Sequence, residues 1–353
     1  MAGPYSHCLV SRESLKIFND PTYRQFYHLN DDGFLPYIFL SSVSPDYPYP
    51  ACILTGINPT PDQTPCGELH WGDKMHKQNT GDFMKNGLTS LRGLFVDNYA
   101  ESLKLIAWLM GYYSHIITDT VVHAVIYNIV GKYEDHKTQH RYCEMVEDSF
   151  IFLREENQEL VKSDFIGRYL KQCQILPPFD ITEPLKPSEF ILDPKISSFW
   201  DGILKETYGT YYNVEKPNID AWHREYLKVN YFAVSTFGRT LGDILGESKE
   251  AIAYEATDQI PQQDVEEYYT NMKIPGPDKD KRGNYLPDVF DYAVKQVMAG
   301  WGNLLKSLTD DNAFNAMSAA LVNIDLDTGT TNCATGGNYI LWPGGKTTDW
   351  QAQ

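Results

Sequence analysis

Residues 99–131 read YAESLKLIAWLMGYYSHIITDTVVHAVIYNIVG, and this apolar stretch decides the fold. Hydrophobic side chains fall on nearly every side of a helical wheel, which is typical of a helix that packs against several neighbours. The stretch predicts a buried central helix, or two helices broken near Gly111. His115, Asp119 and His123 follow at steps of four residues, so all three are expected on one helix face.

A second predicted helix, over about residues 135–153, repeats this spacing. His140, Glu144 and Asp148 are again four residues apart and share one face. Imidazole and carboxylate groups together are the ligand mixture that zinc prefers. A hydrogen-bonded core or surface role is the ordinary explanation for any single histidine. Two clusters at helical spacing favour a metal site instead.

Histidine is concentrated in the first part of the chain, where eight of the nine histidines precede residue 141. Candidate ligands upstream of the two helices are His7, Asp46, His70, His76 and Asp82. A hydrolytic zinc ion uses three or four nitrogen and oxygen ligands, so this supply predicts two or three zinc ions. Such a cluster suits phosphate ester hydrolysis, in which metal-bound hydroxide attacks while the other metals stabilise phosphoryl oxygens.

The composition excludes several classes of protein. A chain of 353 residues with 42% hydrophobic and 13% aromatic content is expected to fold rather than remain disordered. The formal charge of −17 argues against binding duplex nucleic acid, although bound zinc would attract a phosphate locally. The six cysteines form no CxxC pair, so a thiolate zinc site is not expected. Cys52 and Cys66 either close a disulfide or stay reduced.

No transmembrane segment and no secretory signal are predicted. The most apolar run, residues 105–130, contains His115, Asp119 and His123, which would be costly to bury in lipid. Residues 1–20 lack a basic start followed by an apolar run. The sequence leaves the compartment open and slightly favours a mature secreted form over a cytoplasmic one.

The rest of the chain is expected to complete an all-α fold. A short helix is predicted at residues 11–19, turns at 41–82, a proline-rich surface excursion at 176–194, and helices at about 219–245 and 287–308. We divide the chain into a zinc-binding catalytic core (1–155), further helices that complete or cover it (156–310), and an irregular or β-rich C-terminal extension (311–353). Within that extension Asp325-x-Asp327-x-Gly329 predicts a turn, because Gly336 replaces the glutamate of a calcium loop.

The motif Gly111-x₂-Ser114-His115-x₃-Asp119-x₃-His123 carries a family resemblance. With the upstream pieces Ser6-His7, Ser44-Pro45-Asp46 and His70-Trp71, in that order, it resembles the zinc-dependent phospholipase C superfamily. That superfamily includes bacterial phospholipases C and glycosylphosphatidylinositol-specific phospholipase D, and more distantly the single-strand-specific zinc nucleases. The resemblance covers about residues 5–150 and implies an all-helical fold.

The resemblance also implies a ligand set. Asp46, His70, His115 and Asp119 would surround one zinc, with Asp46 also acting as general base; His123, His140 and Glu144 would hold a second; and His7, with Asp119 bridging, would hold a third. Relatives complete the third site with the mature N-terminal residue, usually Trp, whereas this chain begins Met1-Ala2-Gly3. The resemblance is therefore weakest at His7.

The remaining polar residues are assigned other roles. His136 is an alternative to His140, which is favoured because it lies four residues before Glu144. Asp148 is expected to orient a ligand rather than bind metal itself. Surface positions are expected for His76 and Asp82, and structural roles for His28 and His223.

Three functions follow from this reading. The first is a zinc-dependent phosphodiesterase of the phospholipase C type, with a phospholipid or related phosphate ester as substrate and peripheral membrane contact. The second is a single-strand nuclease or nucleotidase of the same fold. The third is a non-catalytic accessory protein in which zinc only holds helices together.

Overall fold

The computed structural model describes residues 3–49, 66–97, 99–133, 135–163, 165–166, 169, 174–175, 191–233, 254–275, 282–283, 289–331 and 340–342. Helices dominate these residues, which confirms the predicted all-α fold. The α-helices are α1 (Pro4–Ser14), α2 (Leu35–Ser41), α3 (Cys66–Lys77), α4 (Thr80–Asp97), α5 (Tyr99–Val130), α6 (Lys137–Glu156), α7 (Pro194–Val214), α8 (Ile219–Ala233), α9 (Gln262–Val265), α10 (Phe290–Ser307) and α11 (Asp311–Ala320).

Shorter elements connect these helices. Segments of 3₁₀-helix are Leu15–Asn19, Pro21–Asn30, Ser44–Asp46, Leu160–Lys162 and Thr257–Gln259, and a π-helical turn is Glu266–Thr270. Two antiparallel strand pairs join β1 (Gln174–Ile175) to β2 (Ile191–Leu192) and β3 (Met272–Lys273) to β4 (Arg282–Gly283). A further isolated pairing joins Asp325 to Thr330 across a turn.

Helix α5 is the centre of the fold. Its 32 residues form one helix that contacts α1, α2, α4, α6, α7 and α10. Leu109, Val121 and Val122 are fully buried on different sides of it, as expected for a helix that is apolar all round. Each apolar side chain buried in this way stabilises the fold by about 1.5–3 kcal/mol.

Helix α5 runs through Gly111 without a break, which excludes the alternative of two helices. A Cβ atom at Gly111 would lie 2.1 Å from the Ile38 carbonyl oxygen and 2.7 Å from Ser41 Cβ. Glycine therefore allows α2 to approach the central helix closely. Ser42 is the next residue after α2, and Asp46 ends the 3₁₀ segment that follows.

We expect Gly111→Ala to lower the free energy of unfolding by about 1–3 kcal/mol, because the added methyl group forces α2 away from α5. Gly93→Ala in α4 is the matched control, since a Cβ at Gly93 meets nothing within 4 Å. That control should be neutral or stabilising by up to about 1 kcal/mol. Urea denaturation of both variants measures the difference, and equal stabilities would contradict the close contact.

Several sequence predictions differ from the structure. The extension expected to be irregular or β-rich at 311–353 begins with helix α11, and the short helix expected at 11–19 is the end of α1 followed by a 3₁₀ segment. The predicted turns at 41–82 are wrong for residues 66–77 and 80–82, which are helical. Buried Trp71 and Met75, four residues apart, give α3 an apolar face that outweighs its neighbouring glycines. Helix α7 was not predicted, yet Pro194 occupies its first turn and the Asp193 carboxylate accepts a hydrogen bond from the Lys195 amide at 2.9 Å.

Other predictions are matched in part. The helices predicted at 219–245 and 287–308 correspond to α8 and α10. Residues 234–245 lie outside the described part of the chain, as do residues 176–190 of the proline-rich excursion.

Cys52 and the side chain of Cys66 also lie outside the described part of the chain, whereas Cys8 and Cys143 are buried free thiols. Within the described residues, no helix is long and apolar enough to cross a membrane.

Candidate metal centre

The inward face of α5 presents three polar side chains to the core. His115, Asp119 and His123 are all fully buried, and their spacing of four residues aligns them along the helix. Burying a carboxylate without compensation is costly, so partners are expected around Asp119. The imidazoles of His7, His115 and His123 are these partners, each with Nε2 within 3.6 Å of an Asp119 carboxylate oxygen.

Helix α1 brings His7 to one side of Asp119. The Nε2 atom of His7 lies 3.1 Å from Asp119 Oδ1, and the His7 and His115 rings stack with centroids 4.3 Å apart. The ligand atoms of His7, His115 and Asp119 all lie within 4.8 Å of one another. This group could hold a metal ion.

A second group forms on the other side of His115. Asp46, at the end of the 3₁₀ segment after α2, has Oδ1 3.1 Å from His76 Nε2. His76 Nε2 in turn lies 3.1 Å from His115 Nε2, and the ligand atoms of all three residues are within 4.8 Å of one another. Since His115 belongs to both groups, they adjoin.

Helix α6 completes a third group. His140 Nε2 lies 3.0 Å from Glu144 Oε1, and His123 Nε2 lies 3.6 Å from the same oxygen. His123 Nε2 is also 3.6 Å from Asp119 Oδ1, so this group is continuous with the first. Among the described residues, the three groups form one buried cluster that joins α1, α3, α5, α6 and the segment after α2.

Backbone carbonyls orient three of these imidazole rings. The Nδ1 atoms of His115, His76 and His123 donate to the carbonyl oxygens of Ser42, Gly72 and Leu326, respectively, at 2.9, 2.8 and 2.6 Å. Each ring therefore directs its Nε2 atom into the cluster. A hydrogen bond from the other ring nitrogen to a carbonyl is the arrangement that metal-ligating histidines adopt.

The pair of Nε2 atoms on His76 and His115 needs a positive charge between them. Because both rings donate from Nδ1, their neutral forms direct lone pairs at each other across 3.1 Å. Such lone pairs repel unless a positive charge lies between them. Zinc, which binds imidazole nitrogen and carboxylate oxygen, fits this donor set.

The pKa values of these groups indicate which of them are neutral before a metal ion binds. Burial lowers the pKa of His115 and lowers that of His140 to about 4, so both rings stay neutral, the form that binds metal. Burial also acts to lower the pKa of His76, but the hydrogen bond and charge of Asp46 outweigh it and raise the value to about 9. At neutral pH His76 therefore carries a proton in the absence of metal, and a bound metal ion would displace that proton. Burial acts to raise the pKa of Asp119, yet the adjacent imidazoles hold it well below the usual range. Asp119 is therefore a carboxylate.

Asp148 fixes the helix that carries His7. Its carboxylate accepts hydrogen bonds from the Tyr5 and Ser6 amides at 3.1 and 2.7 Å and from the Tyr254 hydroxyl at 2.7 Å. A carboxylate at a helix N-terminus satisfies amides that have no partner within the helix. A Cβ at Gly3 would lie 2.2 Å from the Asp148 carboxylate, so glycine permits this contact.

The structure brings together most of the residues that the sequence marked as ligands. These are His7, Asp46, His115, Asp119, His123, His140 and Glu144. His70 lies in α3, and its side chain is outside the described residues. His76, from the same helix, contacts Asp46 and His115.

The surface position expected for His76 is wrong, because this side chain is fully buried. The amphipathic pattern of α3 contains the signal that was overlooked. Trp71, Gly72, Met75 and His76 are all buried, at the spacing of one, four and five residues that defines a single helix face. Treating residues 66–77 as a helix would have placed His76 on the inward side.

The other candidates lie outside the three groups. His136 is partly exposed and its ring bonds to Gln139, whereas His140 is buried. Asp82 lies at the surface with Lys85 and Asn323. His28 is exposed beside Asp31, and His223 is buried in contact with the Tyr47 ring.

We expect His76→Ala to remove one bound zinc ion per chain and to reduce the affinity of the adjacent ion that shares His115. The expected loss follows from the 3.1 Å contacts of His76 with Asp46 and His115. Elemental analysis after gel filtration measures the zinc content. His70→Ala is the comparison variant, and loss of zinc in His70→Ala with full occupancy in His76→Ala would refute the assignment.

Comparison with known proteins identifies the family. The model of the family described as "Zinc dependent phospholipase C" matches residues 6–217, which is more than half of the chain. The matched region contains every residue of the three groups. Comparisons with characterised proteins and with solved structures gave no match. The chain belongs to the zinc-dependent phospholipase C family.

Proposed function

We propose that this protein is a zinc-dependent phosphodiesterase of the phospholipase C type, which hydrolyses a phospholipid or a related phosphate ester. One observation carries the proposal: in a member of this family, three adjoining groups of buried histidine and carboxylate ligands lie within 4.8 Å inside each group. A multinuclear site of this kind suits the hydrolysis of phosphate esters. Purely structural zinc sites, by contrast, are usually closed around a single ion with four ligands.

The proposed ligands divide according to the three groups. His7, His115 and Asp119 would hold one zinc ion, Asp46, His76 and His115 a second, and His123, His140 and Glu144 a third. Zinc bound there would lower the pKa of a coordinated water towards neutrality and would stabilise negative charge on the phosphate. Occupancy of two or three ions is consistent with sharing of His115 between two groups.

Asp46 is the proposed general base. Its side chain retains 9% exposure, whereas the Asp119 side chain is fully buried, so Asp46 is the carboxylate of this pair that water can reach. In the proposed reaction Asp46 accepts a proton as water adds to phosphorus, and the P–O bond to the glycerol oxygen breaks. That oxygen takes up the proton, and the products are a diacylglycerol and a phosphorylated head group.

The charge of the chain favours a substrate with few phosphates. With 47 acidic and 30 basic residues, the protein has a net negative charge that opposes the binding of an extended polyanion. A single phosphodiester needs only local positive charge, which bound zinc supplies. A phospholipid therefore suits this protein better than nucleic acid, and reaching it requires peripheral contact with a lipid surface.

The test uses the full chain, loaded with zinc, and three substrates: vesicles of phosphatidylcholine, vesicles containing phosphatidylinositol, and single-stranded DNA. We expect diacylglycerol release from at least one vesicle type, loss of release with a chelator, and recovery when zinc is restored. The DNA should remain intact. Cleavage of DNA alone would favour the nuclease function, and inactivity on all three would favour the accessory role; either result would overturn the proposal.

A further inference from the structure

Residues 324–330, which we call the strap, lie well beyond the family match at 6–217 and yet contact the candidate metal centre. The strap folds as a tight turn, in which the Asp325 amide donates to the Thr330 carbonyl at 2.7 Å and the Gly329 amide donates to the Asp325 carbonyl at 2.8 Å. Leu326 and Thr330 are fully buried. The turn predicted from the sequence is therefore present, and it is part of the protein interior.

One contact joins the strap directly to a proposed ligand. The Leu326 carbonyl accepts a hydrogen bond from His123 Nδ1 at 2.6 Å. Since a carbonyl can only accept, the proton of a neutral His123 ring lies on Nδ1 and the lone pair lies on Nε2. Nε2 is the atom that lies 3.6 Å from both Asp119 and Glu144.

A second set of contacts joins the strap to α3. The Leu326 amide donates to the His76 carbonyl at 2.8 Å, and Asp327 forms an ion pair with Lys77 at 2.9 Å. One peptide segment thus contacts the backbone of one candidate ligand and the ring of another. The strap connects α3 and α5 where both helices contribute to the cluster.

The strap packs tightly against α5. Gly329 has φ of +69°, and a Cβ there would lie 2.5 Å from the Thr120 carbonyl oxygen. Thr120 lies between Asp119 and His123 in sequence. At the start of the strap, the Ile324 amide donates to the Thr80 hydroxyl at 2.7 Å, and that hydroxyl donates to the Ile324 carbonyl at 3.0 Å.

We infer that the strap is a positioning element of the metal centre, which holds His123 in the orientation and tautomer needed to bind zinc at the His123–His140–Glu144 group. This inference rests on the proposed zinc site and extends it to a segment outside the family match. A carbonyl that orients a ligating imidazole typically contributes about 10–100-fold to metal affinity.

Two variants displace the strap without changing a ligand. Gly329→Ala introduces a clash with α5 at a backbone conformation that alanine rarely adopts. Thr80→Val keeps the side-chain shape but removes both hydrogen bonds to Ile324, so it loosens the strap without a clash. Thr89→Val is the matched control on the same helix, because the Thr89 hydroxyl bonds within α4 to the Lys85 carbonyl.

The experiment is a zinc titration of the full chain against a competing chelator, compared with His140→Ala, which identifies the ion held by the third group. We expect Gly329→Ala and Thr80→Val to weaken that same ion by about 10–100-fold, with Thr89→Val unchanged. We expect the hydrogen-bonded Nδ1 proton of His123 to give an NMR signal in the unmodified chain, and this signal should be lost or shifted in both strap variants. This spectroscopic readout does not depend on enzymatic activity.

Unchanged zinc affinity in both strap variants would overturn the inference. Equal weakening of all zinc ions together with a lower melting temperature of the zinc-free protein would also overturn it, because that pattern indicates general destabilisation. These outcomes differ from failure of the proposed function. If zinc binding depends on the strap but no phospholipid is hydrolysed, the strap inference stands and the phospholipase proposal falls.

Discussion

His115→Ala is expected to lower the proposed phospholipid hydrolysis by more than about 100-fold, since loss of an indirect partner of a ligand alone costs about 10–100-fold. His115 is shared by two of the three ligand groups, and its Nε2 atom lies 3.1 Å from both His76 Nε2 and Asp119 Oδ2. Removing this ring therefore disrupts two proposed sites at once. The zinc content should fall by at least one ion per chain.

The control for this prediction is His28→Ala. The His28 side chain is 67% exposed and contacts Asp31, away from the three groups. We expect this variant to retain both zinc and activity. If His115→Ala retained full zinc content and full activity, His115 would not be a shared ligand.

Removing zinc with a chelator should lower the melting temperature of the protein by about 8 °C or more. Each ion that binds only the folded state, at a free concentration near 1,000 times its Kd, stabilises that state by about 4 kcal/mol. For a chain of 353 residues, the entropy of unfolding implies a little over 1 °C per kcal/mol, so two ions would shift the melting temperature by about 8–11 °C. Calorimetry before and after chelation, and after zinc is restored, measures the shift.

A large fall in melting temperature is expected because many buried polar side chains lie close together in the cluster. The side chains of His7, His115, Asp119 and His123 are fully buried, and the proposed zinc ions would satisfy several of their polar atoms together. The melting temperature should recover with zinc and remain low with magnesium, which prefers oxygen ligands. A melting temperature that is insensitive to chelation would show that the cluster does not hold zinc in the folded state.

The central helix and the buried polar residues along it could be predicted because the sequence carries two simple periodicities. The apolar run that became α5 is buried all round, and its polar residues repeat every four positions. The same spacing located His140 and Glu144 on α6, which begins and ends within three residues of the predicted bounds. Patterns of this kind can be read from the sequence because all the residues that form them lie in one helix, whose geometry does not depend on tertiary contacts.

What the sequence could not supply is tertiary contact. The burial of His76 depends on which side of α3 turns inward, and residues 41–82 had been interpreted as turns. The connection between Leu326 and His123 spans 203 residues along the chain, so no local pattern encodes it. The role of Gly111 is also tertiary, because it depends on the approach of α2 to α5.

Asp148 illustrates an intermediate case. Its helical spacing after His140 and Glu144 correctly placed it on the buried face of α6, and the sequence assigned it an orienting role. Its partners Tyr5 and Ser6, 143 and 142 residues away, became visible only in the fold. Helix spacing predicts which way a side chain points, but it does not identify what the side chain meets.

The most direct measurement of the central claim is anomalous diffraction at the zinc edge from crystals of the full chain prepared with zinc. We predict two or three anomalous peaks, each between the Nε2 and carboxylate oxygen atoms of the groups built around His115 and His123. Imidazole–zinc distances should be about 2.0–2.1 Å. A crystal grown with excess zinc that showed no peak among these side chains, with the imidazoles bonded only to the carboxylates, would contradict the account.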